Sequence, residues 1–239
     1  MTERRLLFPE TAPRLAAKAA WPGLWPGLSL AVLICLGTRL VVGTAAYAGA
    51  AGLVQIRTGL EPPIHMREEH IVRELSDPNS ALSHEFQRAL AGLQPLLNWD
   101  AGHYRGIIEH GYRYEPPRGT SRDEQYNIAF FPLYPLLCRP LAPTLGTPTA
   151  MILVANLAAV LAAALLYIYV RQRIDTESAL LAVAVVFGWP TACFYSFGYA
   201  ESVNLLLTIA VLLLADRGRW LAAAVACGVA TATRPTALT

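Results

Sequence analysis

"TAMILVANLAAVLAAALLYIYVRQR", residues 149–173, carries no charged side chain from Thr149 to Val170 and then closes on Arg171 and Arg173. A run of that length meets the roughly 20 apolar residues needed to cross a bilayer. Comparable runs cover about 24–47, 179–197 and 202–215, and a fifth begins near Trp220 and reaches Thr233. The third is interrupted by Gly188-Trp189-Pro190. The chain is 54% hydrophobic and only 15% charged, with a mean hydropathy of +0.39. Soluble domains carry roughly 25% charged residues. The pattern predicts an all-α, polytopic transmembrane helical bundle of about five spans.

The first run has small residues after it, as a signal peptidase would need, but it is long for a signal sequence and contains Arg39. It therefore reads as an uncleaved span. The formal charge of +2 and the lack of a Lys/Arg-rich block exclude nucleic acid as a partner. Four cysteines, Cys35, Cys138, Cys193 and Cys227, lie far apart and lack metal-ligand spacing, so they read as small core residues. No Asp-x-Asp pair and no metal cluster is recognisable, and no cofactor is expected.

Charge sets the orientation. Arg4, Arg5, Arg14 and Lys18 precede the first run; Arg171 with Arg173, and Arg217 with Arg219, follow the second and fourth. Five spans put all three groups on one side, which the positive-inside rule makes cytoplasmic. Residues 1–23 are then a cytoplasmic tail, 24–47 the first span, 51–127 an extracytoplasmic loop, and 149–239 four further spans. In "FFPLYPLL" (130–137), Pro132 and Pro135 leave pieces too short to span, so 128–148 is expected to be interfacial or re-entrant.

The outer loop holds all five histidines, His65, His70, His84, His103 and His110, and eleven of the seventeen acids. A loop that long with helical patterning is usually functional. Leu82, Phe86, Ala89, Leu90 and Leu93 recur at helical spacing and predict an amphipathic surface helix ended by Pro95. Asn98 is expected to cap a second helix that Gly111 stops, with Tyr104, Ile107 and Ile108 as its apolar stripe. Asp100 then falls in the first turn, where the helix dipole favours an ionised carboxylate. His103 and Tyr104 follow one turn on. From spacing alone, Asp100 is equally a residue that satisfies backbone N–H groups. Charged stretches such as "MREEH" (66–70) and "RDEQ" (122–125) read as a solvated face.

Four pieces, "NWDAGHYRGIIEHGY" (98–112), "NIAFFPLYPLL" (127–137), "FYSFGYAES" (194–202) and "ATRPTAL" (232–238), together resemble the PIG-V-type mannosyltransferases of the GT-C membrane glycosyltransferases. Arg39 in the first span also suits that pattern. The resemblance implies a GT-C fold and transfer of mannose from a polyprenyl-phosphate (dolichol-type) donor to an acceptor hydroxyl on the extracytoplasmic face. An acid in the first outer loop does the acid–base work, and Asp100 is the matching residue. The implied partners are the lipid-linked sugar, a glycolipid or protein acceptor, and the membrane. Two departures stand out. Arg234 is followed by Pro235, Thr236 and Ala237 where the family has a small polar residue, Asn and Gly, and the chain stops at Thr239 in mid-pattern, as a C-terminally shortened member would.

The remaining candidates each have two readings. Arg39 costs roughly 2.5–3.5 kcal/mol inside a span and must face the bundle, where it meets a phosphate, or snorkel outward. Arg234 is a phosphate ligand or a snorkelling residue, Glu201 a helix-start acid or a substrate contact, and His103 an interfacial residue or a substrate contact. Trp99, Tyr104 and Tyr199 are expected to line the sugar site. Competing functions are transfer of another polyprenyl-linked sugar and an inactive membrane scaffold or fragment. High alanine and arginine usage points to a bacterial plasma membrane.

Overall fold

Alanine, not leucine, builds the centre of this structure. The computed structural model of the chain describes residues 24–57, with side chains to 50, and residues 92–113 and 127–234. Its elements are α1 (Leu24–Arg57), a 3-10 turn (Gln94–Leu96), α2 (Ala101–His110), a 3-10 turn (Asn127–Ala129), α3 (Leu133–Cys138), α4 (Ala142–Leu145), α5 (Thr147–Arg173), α6 (Thr176–Gly188), a 3-10 segment (Pro190–Tyr195), α7 (Glu201–Asp216) and α8 (Trp220–Thr231). All secondary structure among the described residues is helical. The predicted surface helix at 82–93 and the charged stretches of the outer loop, with His65, His70 and His84, lie outside the described residues, as does the N-terminal tail.

Helix α5 is the central post, packed by α1, α6 and α7, with α8 packed on α7. Its buried face carries Ala150, Ala155, Ala158, Ala159, Ala162 and Ala163, while Leu153, Leu157 and Leu161 stand exposed on the opposite side. Helix α1 likewise turns Leu33, Leu36, Leu40 and Val41 outward. Small residues at helix contacts and large apolar ones outside are the arrangement a lipid solvent favours, because backbones then approach closely and leucine loses nothing by facing acyl chains. Gly27 illustrates the closeness: a Cβ placed there would lie 1.9 Å from the Tyr167 hydroxyl of α5.

Among the described residues, two helices are long and apolar enough to cross a membrane, Leu24–Ala50 within α1 and Thr147–Arg173. The five expected spans are not all of that length. Helix α6 has 13 residues, α7 has 16 and α8 has 12. The expected third span is not one helix: Pro190 lacks an N–H and ends α6, and the chain continues as 3-10. At about 1.5 Å per residue, α6 is about 20 Å long, short of the roughly 30 Å hydrocarbon core.

The packed bundle has two chemically distinct ends. At one, Arg173 pairs with Asp216 across the α5–α7 gap, and Asp175 caps α6. At the other, α2 and α3 lie across the starts of α5 and α7 over a cluster of Leu96, Leu97, Tyr104, Tyr134, Met151, Phe197 and Tyr199.

Candidate active site

The four sequence pieces that suggested a function meet at this second end. Backbone contacts hold them together before any side-chain chemistry begins. The Gly198 N–H donates to Leu96 O at 3.0 Å, and the Tyr199 hydroxyl donates to Asn98 O at 2.8 Å. The Leu133 N–H donates to Ala232 O at 2.9 Å, tying the start of α3 to the end of α8. Asn127 receives the Arg113 N–H on its side-chain oxygen and donates to Gly111 O, bridging the descent from α2. Gly198 packs closely: a Cβ there would sit 2.6 Å from Leu97 Cδ2 and 3.0 Å from Met151 Cε, so the ends of those side chains would have to shift.

Helix α2 starts differently from the expectation. Asn98 does not cap it; its amide donates back to Pro95 O at 3.1 Å and closes the preceding turn. Asp100 is the N-cap residue instead, but at φ −60°, ψ −21° its backbone is already helical, and its side chain makes no capping bond. A capping side chain needs an extended backbone to fold back over the first N–H groups. Asp100 is exposed and its carboxylate is left for other work. Trp99 before it sits at φ +51°, a left-handed conformation that L residues rarely adopt and that costs about 1–3 kcal/mol where surroundings enforce it. Its ring is 71% exposed and lies 6.3 Å from the Phe197 ring. Gly111 stops α2 at φ 81°, donating to Ile107 O, as the sequence indicated.

The remaining groups gather near Asp100. Arg234 Nη1 donates to Glu201 Oε1 at 2.8 Å, joining the exit of α8 to the first turn of α7. Burial pushes the Tyr104 hydroxyl far above the usual phenol range; the charges of Glu201 and Asp100 push it further, and Arg234 opposes them. Tyr199 is raised in the same way, by burial first and then by Asp100 and Glu201. Both phenols are therefore held in the neutral form. His103 stacks on Phe130 at 4.6 Å, and Tyr104 meets Phe130 and Tyr134 edge-on at 5.2 and 5.1 Å.

Asp100, Trp99, Tyr104, Tyr199, Glu201 and Arg234 are thus brought together, with His103 beside them. Arg39 is elsewhere: it is buried in the bundle, and its hydrogen bonds go to Ala192 O, Phe187 O and the Thr38 hydroxyl. Sequence reasoning missed Phe130, the surface on which His103 and Tyr104 rest, and Asn156, whose amide donates to Ser196 O at 3.1 Å from within α5. A lone asparagine in an apolar run was the signal available. Among the described residues, no three His, Cys, Asp or Glu side chains gather as a metal site.

A helical bundle of membrane type, with an acid and an Arg–Glu pair at one end under an aromatic wall, is the class of protein that these features define. Residues 53–238 match the family described as Mannosyltransferase (PIG-V), and the chain belongs to that family. It is 30% identical over 183 residues to GPI alpha-1,6-mannosyltransferase 2 of Cricetulus griseus, a match covering 71% of this chain and 35% of the relative. With the protein of the same description from Homo sapiens it shares 30% over 164 residues, 63% of this chain and 31% of the relative. The chain spans about a third of the length of these curated relatives. No solved structure matches it.

Proposed function

We propose that this chain carries the acid–base end of a membrane mannosyltransferase that uses a polyprenyl-phosphate mannose donor and works on the extracytoplasmic face. The observation that carries the reading is the uncommitted carboxylate of Asp100 beside the Glu201–Arg234 pair, in a chain of mannosyltransferase family. In the reaction, an acceptor hydroxyl oxygen attacks the anomeric carbon of the donor. Asp100 takes the hydroxyl proton, the new C–O bond forms, and the bond from the anomeric carbon to the phosphate oxygen breaks. The electron pair leaves on the polyprenyl phosphate. A general base within hydrogen-bond reach supplies the first part. A fixed guanidinium stabilises the phosphate charge that develops in the second. Arg234 is that cation, held by Glu201, and Trp99, Tyr104 and Tyr199 form the wall against which the sugar lies.

The similar proteins are GPI alpha-1,6-mannosyltransferases, which favours a glycolipid over a protein as acceptor. Alanine and arginine usage keeps a bacterial plasma membrane as the proposed location. The test is transfer in membranes containing the protein, supplied in parallel with polyprenyl-phosphate mannose, polyprenyl-phosphate glucose and nucleotide-linked mannose. Transfer from polyprenyl-phosphate mannose alone is expected. Equal use of the glucose donor would overturn the sugar assignment, and use of the nucleotide donor would overturn the lipid-linked donor.

A further inference from the structure

Arg39 is the one arginine of α1 that the described side chains place in the bundle interior, only 8% exposed, and the site just described does not use it. Its partners explain why it is there. Helix α6 ends at Gly188 because Pro190 has no N–H to continue the ladder, and the chain tightens into the 3-10 segment Pro190–Tyr195. Such a break strands carbonyl oxygens in an apolar interior, where each unsatisfied one costs free energy. Arg39 supplies the donors. Nη2 donates to Phe187 O at 3.0 Å on one side of the break, and Nη1 donates to Ala192 O at 2.8 Å on the other. The guanidinium lies 5.5 Å from the centre of the Phe187 ring and 6.0 Å from that of Tyr195.

From Ala192 the backbone leads directly to the site. Ser202 Oγ donates to Tyr195 O at 2.8 Å, and Asn156 holds Ser196 O. Gly198 and Tyr199 then bond Leu96 O and Asn98 O, four and two residues before Asp100. Beyond Ala192 the path is the backbone itself, pinned to its neighbours by hydrogen bonds between part-buried groups. We infer that Arg39 is a positioning residue: by clasping the α6 break it sets the height of the 196–199 segment and, through it, the placement of Asp100. Nη1 and Nη2 are directed at the Ala192 and Phe187 carbonyls and the Thr38 hydroxyl, while Nε is buried without a partner among the described residues, and the action inferred for Arg39 is through the backbone rather than on the donor phosphate.

The inference rests on the proposed transferase reading, so its test has an arm that does not need activity. Arg39→Lys keeps the charge but has one nitrogen where two carbonyls must be reached in a planar fork. In membranes containing the full chain, kcat is expected to fall on the order of 10- to 100-fold, as slight misplacement of reacting groups does, while the KM for polyprenyl-phosphate mannose stays put. Combined with Tyr199→Phe, which cuts the same path further on, Arg39→Lys should add little to the loss. In a background without the native cysteines, the thiol introduced by Leu97→Cys, buried beneath Gly198, should react faster with a thiol reagent once Arg39 is replaced. The thiol introduced by Ile209→Cys, buried deep on α7, should not. A raised donor KM with unchanged kcat would make Arg39 a phosphate ligand and overturn the inference. Independent, multiplicative losses with Tyr199→Phe, unchanged labelling of the Leu97→Cys variant, or equal acceleration in the Ile209→Cys variant would overturn it as well. If the parent transfers no mannose, the functional reading falls, and the labelling comparison still decides whether Arg39 holds the path.

Discussion

Among the described residues, two aspartates begin helices at opposite ends of the bundle, and they do different things. Asp175 precedes α6 with an extended backbone, φ −156°, ψ −179°, and its carboxylate accepts the Ser178 N–H at 2.7 Å. Asp100 precedes α2 with a helical backbone and caps nothing. The neighbours differ in the same sense. Arg173, near Asp175, is engaged by Asp216, by Tyr169 O and by the Tyr169 ring at 3.6 Å. Near Asp100, the indole of Trp99 and the Arg234 side chain are exposed, and the half-buried Glu201 holds Arg234 by a single bond. The same residue type at the same helix position is thus structural where the backbone lets it fold back, and free for chemistry where the backbone forbids it. The φ/ψ of the residue, rather than its identity, separates cap from candidate base.

Asp100→Asn puts the most weight on this contrast, because it keeps the shape but cannot accept a proton. Mannose transfer should fall about 10²–10⁴-fold, with no loss of melting temperature, since no capping bond is removed. Thermal unfolding run beside the transfer assay checks both halves; a melting loss without a transfer loss would make Asp100 a cap after all. Next comes Gly198→Val, which forces side-chain carbons into the space of Leu97 and Met151. Overpacking of this kind costs about 1–3 kcal/mol, so melting and transfer should fall together, which denaturation and activity measured on one preparation will show. Arg234→Lys is a smaller step: charge stays, the planar fork goes. The donor KM should rise on the order of tenfold and kcat should fall with it, since the fork serves both the bound phosphate and the charge it gains on leaving, and steady-state kinetics over donor concentration reads both.

The smallest effect belongs to the other aspartate. Hydrogen bonds from the Ser178 backbone and hydroxyl hold the Asp175 carboxyl below its ordinary value of 3.8. A depressed folded value stabilises the fold above the unfolded one and loses that stabilisation as pH falls through the folded one. Asp175→Ala should therefore lower the melting temperature slightly at neutral pH, with the gap from the parent closing as the pH drops below about 4, and transfer should be untouched. Melting curves across pH test the sign.

Much of this is legible in the sequence and some is not, for physical reasons. The α5 run, the Gly111 stop and the breaking of "FFPLYPLL" all rest on local rules of length, φ and missing N–H groups, and local rules are visible in sequence. Asn98 misleads because asparagine suits either a cap or a turn closure; here its amide closes the turn on Pro95, and its backbone carbonyl receives the Tyr199 hydroxyl from 101 residues away. Arg39 is legible as costly but not as a clasp, since its partners are backbone carbonyls 148 and 153 residues on, which carry no residue signature. The site residues are named through a resemblance; their convergence is a long-range fact. Five spans follow from counting apolar runs, and apolarity alone does not tell a full crossing from the broken α6.

The central claim is that the Asp100 end faces outward and receives the lipid-linked sugar while the Asp175 end does neither. Trp99→Cys and Thr176→Cys, each in a background without the native cysteines, put both parts of that claim into one measurement. Cells or sealed vesicles are treated with a membrane-impermeant thiol reagent, with and without polyprenyl-phosphate mannose. The Trp99→Cys protein is expected to be labelled from outside and to be labelled more slowly with the donor present. The Thr176→Cys protein is expected to be labelled only after the membrane is opened and to be indifferent to the donor. Labelling of the Thr176→Cys protein from outside, or a rate in the Trp99→Cys protein unmoved by saturating donor, would contradict the claim.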